Sequence, residues 1–177
     1  MVTLLAYDFT ASDYRRLPEG FPAELIRGML VREPSPTAYH QGLALKIGMR
    51  LAEVAGVHRV LLAPIDVHLD ESSVLQPDVL LLGAADAWGP EVRQTAIPAL
   101  VVEVLSPSIA IRDREVKTDL YLRAGVEEVW LVDPDARTVE ARTASGARVV
   151  VAPGSIATPV LPGLAIDLKE LFSWSRS

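Results

Sequence analysis

The run ALVVEVL, from Ala99 to Leu105, is nearly all apolar, as expected of a strand covered on both faces. EVWLVDP repeats the pattern farther on, and the stretch between the two opens on Ser106-Pro107-Ser108 and stops at Gly125. Serine caps a helix, proline is tolerated at its first position and glycine ends it, so IAIRDREVKTDLYLRAG reads as a helix joining the two strands. Strand, helix and strand between Ala99 and Asp133 then form a parallel crossover unit, which should be right-handed. A chain built on such a unit carries helices against a sheet, which sets its class as α/β.

The remaining segments add antiparallel pieces. Thr10 with Asp13 looks like a helix cap over a short helix ending at Pro18, and AELIRGMLVRE reads as two short strands folded about Gly28. Leu43, Ile47, Leu51 and Val54 recur at helical spacing on a stretch that stops at Gly56, which predicts a helix from about Pro36 to Ala55. Strands follow in HRVLLAPIDVHLD, interrupted by Pro64, and in VLQPDVLLLG, with a polar turn at DESS between them. Ala84 to Pro98 reads as an exposed connection, TVEARTASGARVVVA as a hairpin turning at Ser145-Gly146, and DLKELFSW as a short closing helix. The expected fold is therefore a mixed β-sheet flanked by helices, an α/β (α+β mixed) architecture. With 177 residues and no repeat or linker, one domain is expected, large enough to bury roughly 70% of its unfolded surface.

Without cysteine the chain has no disulfide, thiolate metal site or cysteine nucleophile, and a metal would depend on oxygen ligands or on three histidines. That donor set favours Mg²⁺, Mn²⁺ or Ca²⁺. The start lacks a basic region followed by a long apolar core, and no run reaches the ~18 apolar residues of a membrane span, so a soluble cytoplasmic protein is expected. A net charge of −6 argues against coating nucleic acid through bulk charge, although it leaves room for a local basic groove.

Two carboxylates stand out against this apolar background: Asp78 in LQPDVLLL and Glu103 in LVVEVLSPS. A buried, unpaired carboxylate costs several kcal/mol or becomes protonated, so each needs a cation or a strand end. Asp78 follows Pro77, and proline belongs at the first residue of a strand or on an edge, which places Asp78 at an end within reach of solvent or metal. Glu103 alternates onto the face opposite Val102 and Val104. If the two strands are neighbours, both carboxylates can converge on one hard cation. Lys117, on the helix that folds back across the sheet, has a stem long enough to carry its ammonium to such a site. On pattern alone, a solvated strand end, an ion pair from Glu103 to Arg112 or Arg114, and a surface pair from Lys117 to Asp113 are the competing readings.

An Asp after Pro, followed by a strand carrying Glu, resembles the core of the PD-(D/E)XK nuclease superfamily with its restriction-endonuclease-like fold. The wider sequence is similar to one bacterial branch of it, labelled putative restriction endonuclease and long treated as a domain of unknown function. The words that carry this are AELIRGMLV, SPTAYHQGLA, LAPIDVHLD, LQPDVLLL, PALVVEVLSPS, RDREVKTDLYLRAGVEEVWLVDP and LPGLAIDL, in this order, from about residue 23 to 170. The resemblance implies that Asp78 and Glu103 bind a divalent cation, Mg²⁺ or Mn²⁺, with the carbonyl of Val104 as a further ligand. One position departs from the superfamily pattern: the place of the usual lysine, two after Glu103, is Leu105. In this branch a lysine on the following helix, here Lys117, is thought to substitute. The same branch suggests Glu24 and His40 as further catalytic candidates, and Gln76 as a weaker one for a hydrogen bond to water or phosphate.

The function so implied is a metal-dependent endonuclease that hydrolyses phosphodiester bonds, with DNA as the expected nucleic-acid partner. A homodimer is attractive, because cutting two strands needs two active sites or one used twice, and the hairpin from Thr138 to Val151 is one possible interface. The rivals are a nuclease-like binding module without turnover and a hydrolase of small phosphoesters. A rim of Arg32, Arg50, Arg112 and Arg114 around the carboxylates would distinguish a nucleic-acid site. His58 and His68 are more simply structural, Tyr121 and Trp130 more simply core aromatics, and Asp133 a turn former.

Overall fold

The computed structural model describes residues 2–4, 8–18, 20–32, 35–86, 96–106 and 113–174. Six strands form the larger sheet: β4 (Val60–Leu62), β7 (Val79–Leu81), β8 (Leu100–Val104), β9 (Glu128–Asp133), β10 (Thr138–Thr143) and β11 (Gly146–Val151), in the order β11-β10-β9-β8-β7-β4. Only β8 and β9 run parallel, and α3 (Thr118–Ala124) lies in the connection between them. Five others, β1 (Val2–Leu4), β2 (Glu24–Ile26), β3 (Met29–Arg32), β5 (Val67–Asp70) and β6 (Ser73–Leu75), pair antiparallel in the order β1-β3-β2-β6-β5. The short β12 (Ser155–Ala157) and β13 (Ala165–Asp167) make a two-stranded ribbon before α4 (Leu168–Leu171).

Alternation along β8 and β9 divides the core into two layers. Val102, Val104, Trp130 and Val132 face the long helix α2 (Ala38–Ala55), where they meet Leu43, Ile47 and Leu51. On the opposite face Val101, Val129 and Leu131 pack against Leu120 and Tyr121 of α3, together with Ile26, Val31 and Leu75 of the smaller sheet. All five residues of β8 are buried, which accounts for its nearly unbroken apolar run. Gly125 ends α3 in the left-handed region with φ 103°, a conformation that penalises a side chain.

The parallel pairing of β8 with β9, the pair of strands about Gly28, the hairpin before Val151 and the closing helix form as the sequence predicts; of the helix expected to join β8 and β9, residues 107–112 lie outside the described residues. Thr10 and Asp13 cap α1 (Ala11–Tyr14) reciprocally. The long helix starts at Ala38, because the Thr37 hydroxyl accepts from the His40 N–H and so caps it after Pro36. One segment differs from expectation. VLQPDVLLLG is two strands in different sheets: β6 ends at Leu75 in the smaller sheet, and β7 begins at Val79 in the larger. Pro77, without an N–H for a ladder, lies where the chain passes from one sheet to the other. Most of the connection expected from Ala84 to Pro98 lies outside the described residues, as do Pro107 and Ser108. No helix among the described residues is long and apolar enough to cross a membrane.

Candidate active site

The passage from β6 to β7 sets the geometry. Antiparallel pairing of Leu81 with Leu100, Leu80 with Val101 and Val79 with Val102 ends just as Asp78 and Glu103 come next, so the two carboxylates stand at the same end of adjacent strands. Glu24 opens β2, His40 lies in the first turn of α2, and Lys117 closes a π-helical turn, Asp113–Lys117, that leads into α3. Such a turn adds a residue to the helical repeat and so re-aims the side chains beyond it. Glu24, His40, Gln76, Asp78, Glu103 and Lys117 all line one cavity of about 620 Å³, along with Val104.

Each carboxylate is held by its own donors. Asp78 Oδ2 accepts from the Val104 N–H at 2.7 Å, and Oδ1 lies 2.8 Å from His40 Nε2. Glu103 Oε1 accepts from the buried Tyr121 hydroxyl at 2.7 Å. Glu24 Oε1 accepts from the Gln76 N–H at 2.7 Å, while its Oε2 lies 2.8 Å from Lys117 Nζ. That last oxygen has no aligned hydrogen bond, so its contact with the ammonium is one of charge. With 4% and 3% of the Lys117 and Glu24 side chains exposed, this is a buried ion pair, costly to break by removing either partner. Lys117 is therefore not a solvated helix residue, while the side chain of Asp113, its alternative partner, lies outside the described residues.

A polar network lies behind Glu24. Gln76 Nε2 donates to Asp66 Oδ1 at 2.9 Å and to the Tyr14 oxygen at 3.3 Å. The Tyr14 hydroxyl has one proton to give and two acceptors within reach, the Ala23 carbonyl at 2.8 Å and Asp66 Oδ1 at 3.0 Å. Burial, with Asp66 beside it, pushes the Tyr14 phenol far above its ordinary range and keeps it a donor. Burial also holds His68, which meets the Tyr14 ring edge-on, below the usual imidazole range. Neither His68 nor His58 lines the cavity.

The contacts of Tyr121 with Glu103 and of Tyr14 with Asp66 were not legible in the sequence. Aromatic residues at those spacings ordinarily belong to a core, and Tyr121 is a core residue whose hydroxyl also reaches Glu103. Trp130 is fully buried and Asp133 accepts from the N–H groups of Asp135 and Ala136 in a turn, as expected. An arginine rim is not present among the described side chains: Arg32 and Arg50 do not line the cavity, and Arg50 pairs with Glu53 on α2. Arg112 and the side chain of Arg114 lie outside the described residues.

Hard oxygen donors and one imidazole make the cavity chemically suited to a hard divalent cation. The hydrogen bonds from the Val104 N–H and the Tyr121 hydroxyl orient the Asp78 and Glu103 carboxylates. Among the described residues no group of three or more His, Asp and Glu side chains is arranged to hold a metal. A carboxylate pair instead suits Mg²⁺, which keeps several waters and takes one or two carboxylates beside a substrate phosphate. Replacing Tyr121 by Phe would keep the ring in the core and remove the donor to Glu103.

Residues 11–169 match the family described as Uma2, putative restriction endonuclease. The crystal structure of a putative nuclease belonging to DUF820 from Anabaena variabilis ATCC 29413 is similar, with a TM-score of 0.83 and 23% identity over 94% of this chain and 98% of that one. At that identity the likeness speaks for the shared fold. No curated protein matches the chain.

Proposed function

The chain belongs to the Uma2 family of putative restriction endonucleases, and from that premise we propose that it is a metal-dependent nuclease hydrolysing phosphodiester bonds in DNA. The observation that carries this reading is the position of Lys117. Leu105 occupies the place where the superfamily pattern has its lysine, yet the cavity shared by Asp78 and Glu103 is lined by Lys117 from the next helix.

In this reading Asp78 and Glu103 would hold Mg²⁺ or Mn²⁺, with the Val104 carbonyl as a further donor. Such a cation, when bound, lowers the pKa of a water and neutralises charge on the attacked phosphate. The protein supplies orientation. The Val104 N–H and His40 set the plane of the Asp78 carboxylate, and the Tyr121 hydroxyl sets that of Glu103. Lys117 has three protons on its ammonium. While Glu24 anchors it, the ammonium can orient the attacking water or meet the negative charge that grows on the phosphate oxygens. Two copies of the chain, or one acting twice, cut both strands of a duplex.

The test is cleavage of supercoiled and linear DNA with Mg²⁺ or Mn²⁺, run beside Glu103→Ala purified identically. The wild type should convert supercoiled to nicked and linear DNA, and both EDTA and Glu103→Ala should stop it. Equal cleavage by the variant would overturn the assignment. Tight binding without cleavage in any metal would instead favour a binding module that kept the fold without turnover.

A further inference from the structure

We infer that Asp66 is a positioning residue: it anchors the passage Gln76-Pro77-Asp78 and so fixes where Glu24 holds the Lys117 ammonium, an inference that rests on the nuclease reading above. The passage leaves β6 after Leu75 and enters β7 at Val79, so residues 76–78 belong to no strand. Yet two groups of the site depend on it. Asp78 rides on its end, and the Gln76 N–H goes to Glu24 Oε1 at 2.7 Å instead of to a strand carbonyl.

The register puts Asp66 where such a segment needs a hold. Val67 pairs with Leu75, so Asp66 and Gln76 stand opposite each other one step beyond the β5–β6 ladder. Asp66 Oδ1 accepts from Gln76 Nε2 at 2.9 Å and lies 3.0 Å from the Tyr14 hydroxyl, whose oxygen is 3.3 Å from the same nitrogen. An ionised carboxylate only accepts, so it turns the nitrogen end of the Gln76 amide toward itself. The Tyr14 hydroxyl also lies 2.8 Å from the carbonyl of Ala23, the residue before Glu24. Glu24 is thus held at two places, through the backbone before it and through the Gln76 N–H at its carboxylate.

Asp66 itself lines neither the main cavity nor the second hollow of about 230 Å³ beside it, whereas Gln76 and Glu24 both line the main one. Its influence on the reaction therefore runs through them. Lys117 Nζ sits 2.8 Å from Glu24 Oε2, so a carboxylate that swings when the Gln76 N–H moves carries the ammonium with it. A displacement of about 1 Å at a reacting group can cost on the order of 10²-fold in rate.

The test compares Asp66→Ala, which removes the anchor, with Asp66→Asn, whose amide oxygen can still accept from Gln76 Nε2. Tyr14→Phe is the second probe, since it keeps the ring in its cluster with Leu25 and Val74 and removes the hydroxyl. Amide hydrogen exchange is followed in the metal-free protein, and kcat and KM for DNA are measured with Mn²⁺. In Asp66→Ala the Gln76 N–H should lose its protection while the amides of β8 keep theirs. Its kcat should fall about 10- to 100-fold with KM unchanged. Asp66→Asn should retain both properties, and Tyr14→Phe should lie between the two. A protected Gln76 with unchanged kcat in Asp66→Ala overturns the inference. So does protection lost in β8 as well, which would make Asp66 a contributor to fold stability alone. An Asp66→Asn protein as slow as Asp66→Ala, with Gln76 still protected, assigns the effect to the charge and likewise overturns it. A wild type that cleaves no DNA overturns the nuclease reading and the catalytic role with it, while Gln76 exchange in Asp66→Ala still tells whether the anchor exists.

Discussion

Lys117→Met should lose cleavage by a factor on the order of 10² to 10³ and lose stability by about 3–5 kcal/mol, for two separable reasons. On the proposed mechanism the catalytic loss comes from removing a preorganised cation that lines the cavity shared with Asp78 and Glu103. The loss of stability comes from leaving Glu24 charged, buried and without the ammonium 2.8 Å from its Oε2. A second substitution separates the two. Glu24→Gln with Lys117→Met replaces the ion pair by an amide beside an apolar chain, which still accepts from the Gln76 N–H. Replacing a buried pair outright is often neutral, so urea unfolding of the double variant should recover most of the stability. Cleavage should remain absent. If the double variant regains both, Lys117 is a structural partner of Glu24 and the proposed mechanism loses its lysine.

Asp78→Asn should be folded and inactive. The amide oxygen can still accept from the Val104 N–H, and the amide nitrogen can face His40 Nε2 once that imidazole presents a lone pair. Only the charge is lost. On the proposed mechanism the carboxylate is a metal ligand, and the cation's stabilisation of the transition state is several kcal/mol, so the rate should fall by about 10³-fold at 1.36 kcal/mol per tenfold. Thermal unfolding close to that of the wild type, together with lost cleavage and weakened Mn²⁺ binding by calorimetry, is the expected pattern. Unchanged Mn²⁺ binding would remove Asp78 from the ligand set.

The local elements were readable because their signals are short-range. Thr10 with Asp13, Gly125 and the unbroken run of β8 each act on a few neighbouring residues, and each forms as expected. Alternation alone also placed Glu103 opposite Val102 and Val104, and the structure has those valines against α2 while Glu103 meets Tyr121 of α3. The passage at Gln76-Pro77-Asp78 was harder. An apolar run broken by one proline suits either one bulged strand or two strands in two sheets, and the choice depends on partners far along the chain.

Chain order and local chemistry thus determined the α/β class, the crossover unit and the short set of charged residues set against apolar runs. Only the tertiary structure decided what those charges face. Glu24 meets Lys117 across 93 positions of sequence, Asp78 meets His40 across 38, and neither spacing has a local period that a helix or strand would impose. Such contacts exist because two sheets and two helices exclude water from the same corner, and a charge buried there must take its partner from whichever segment the packing brings near.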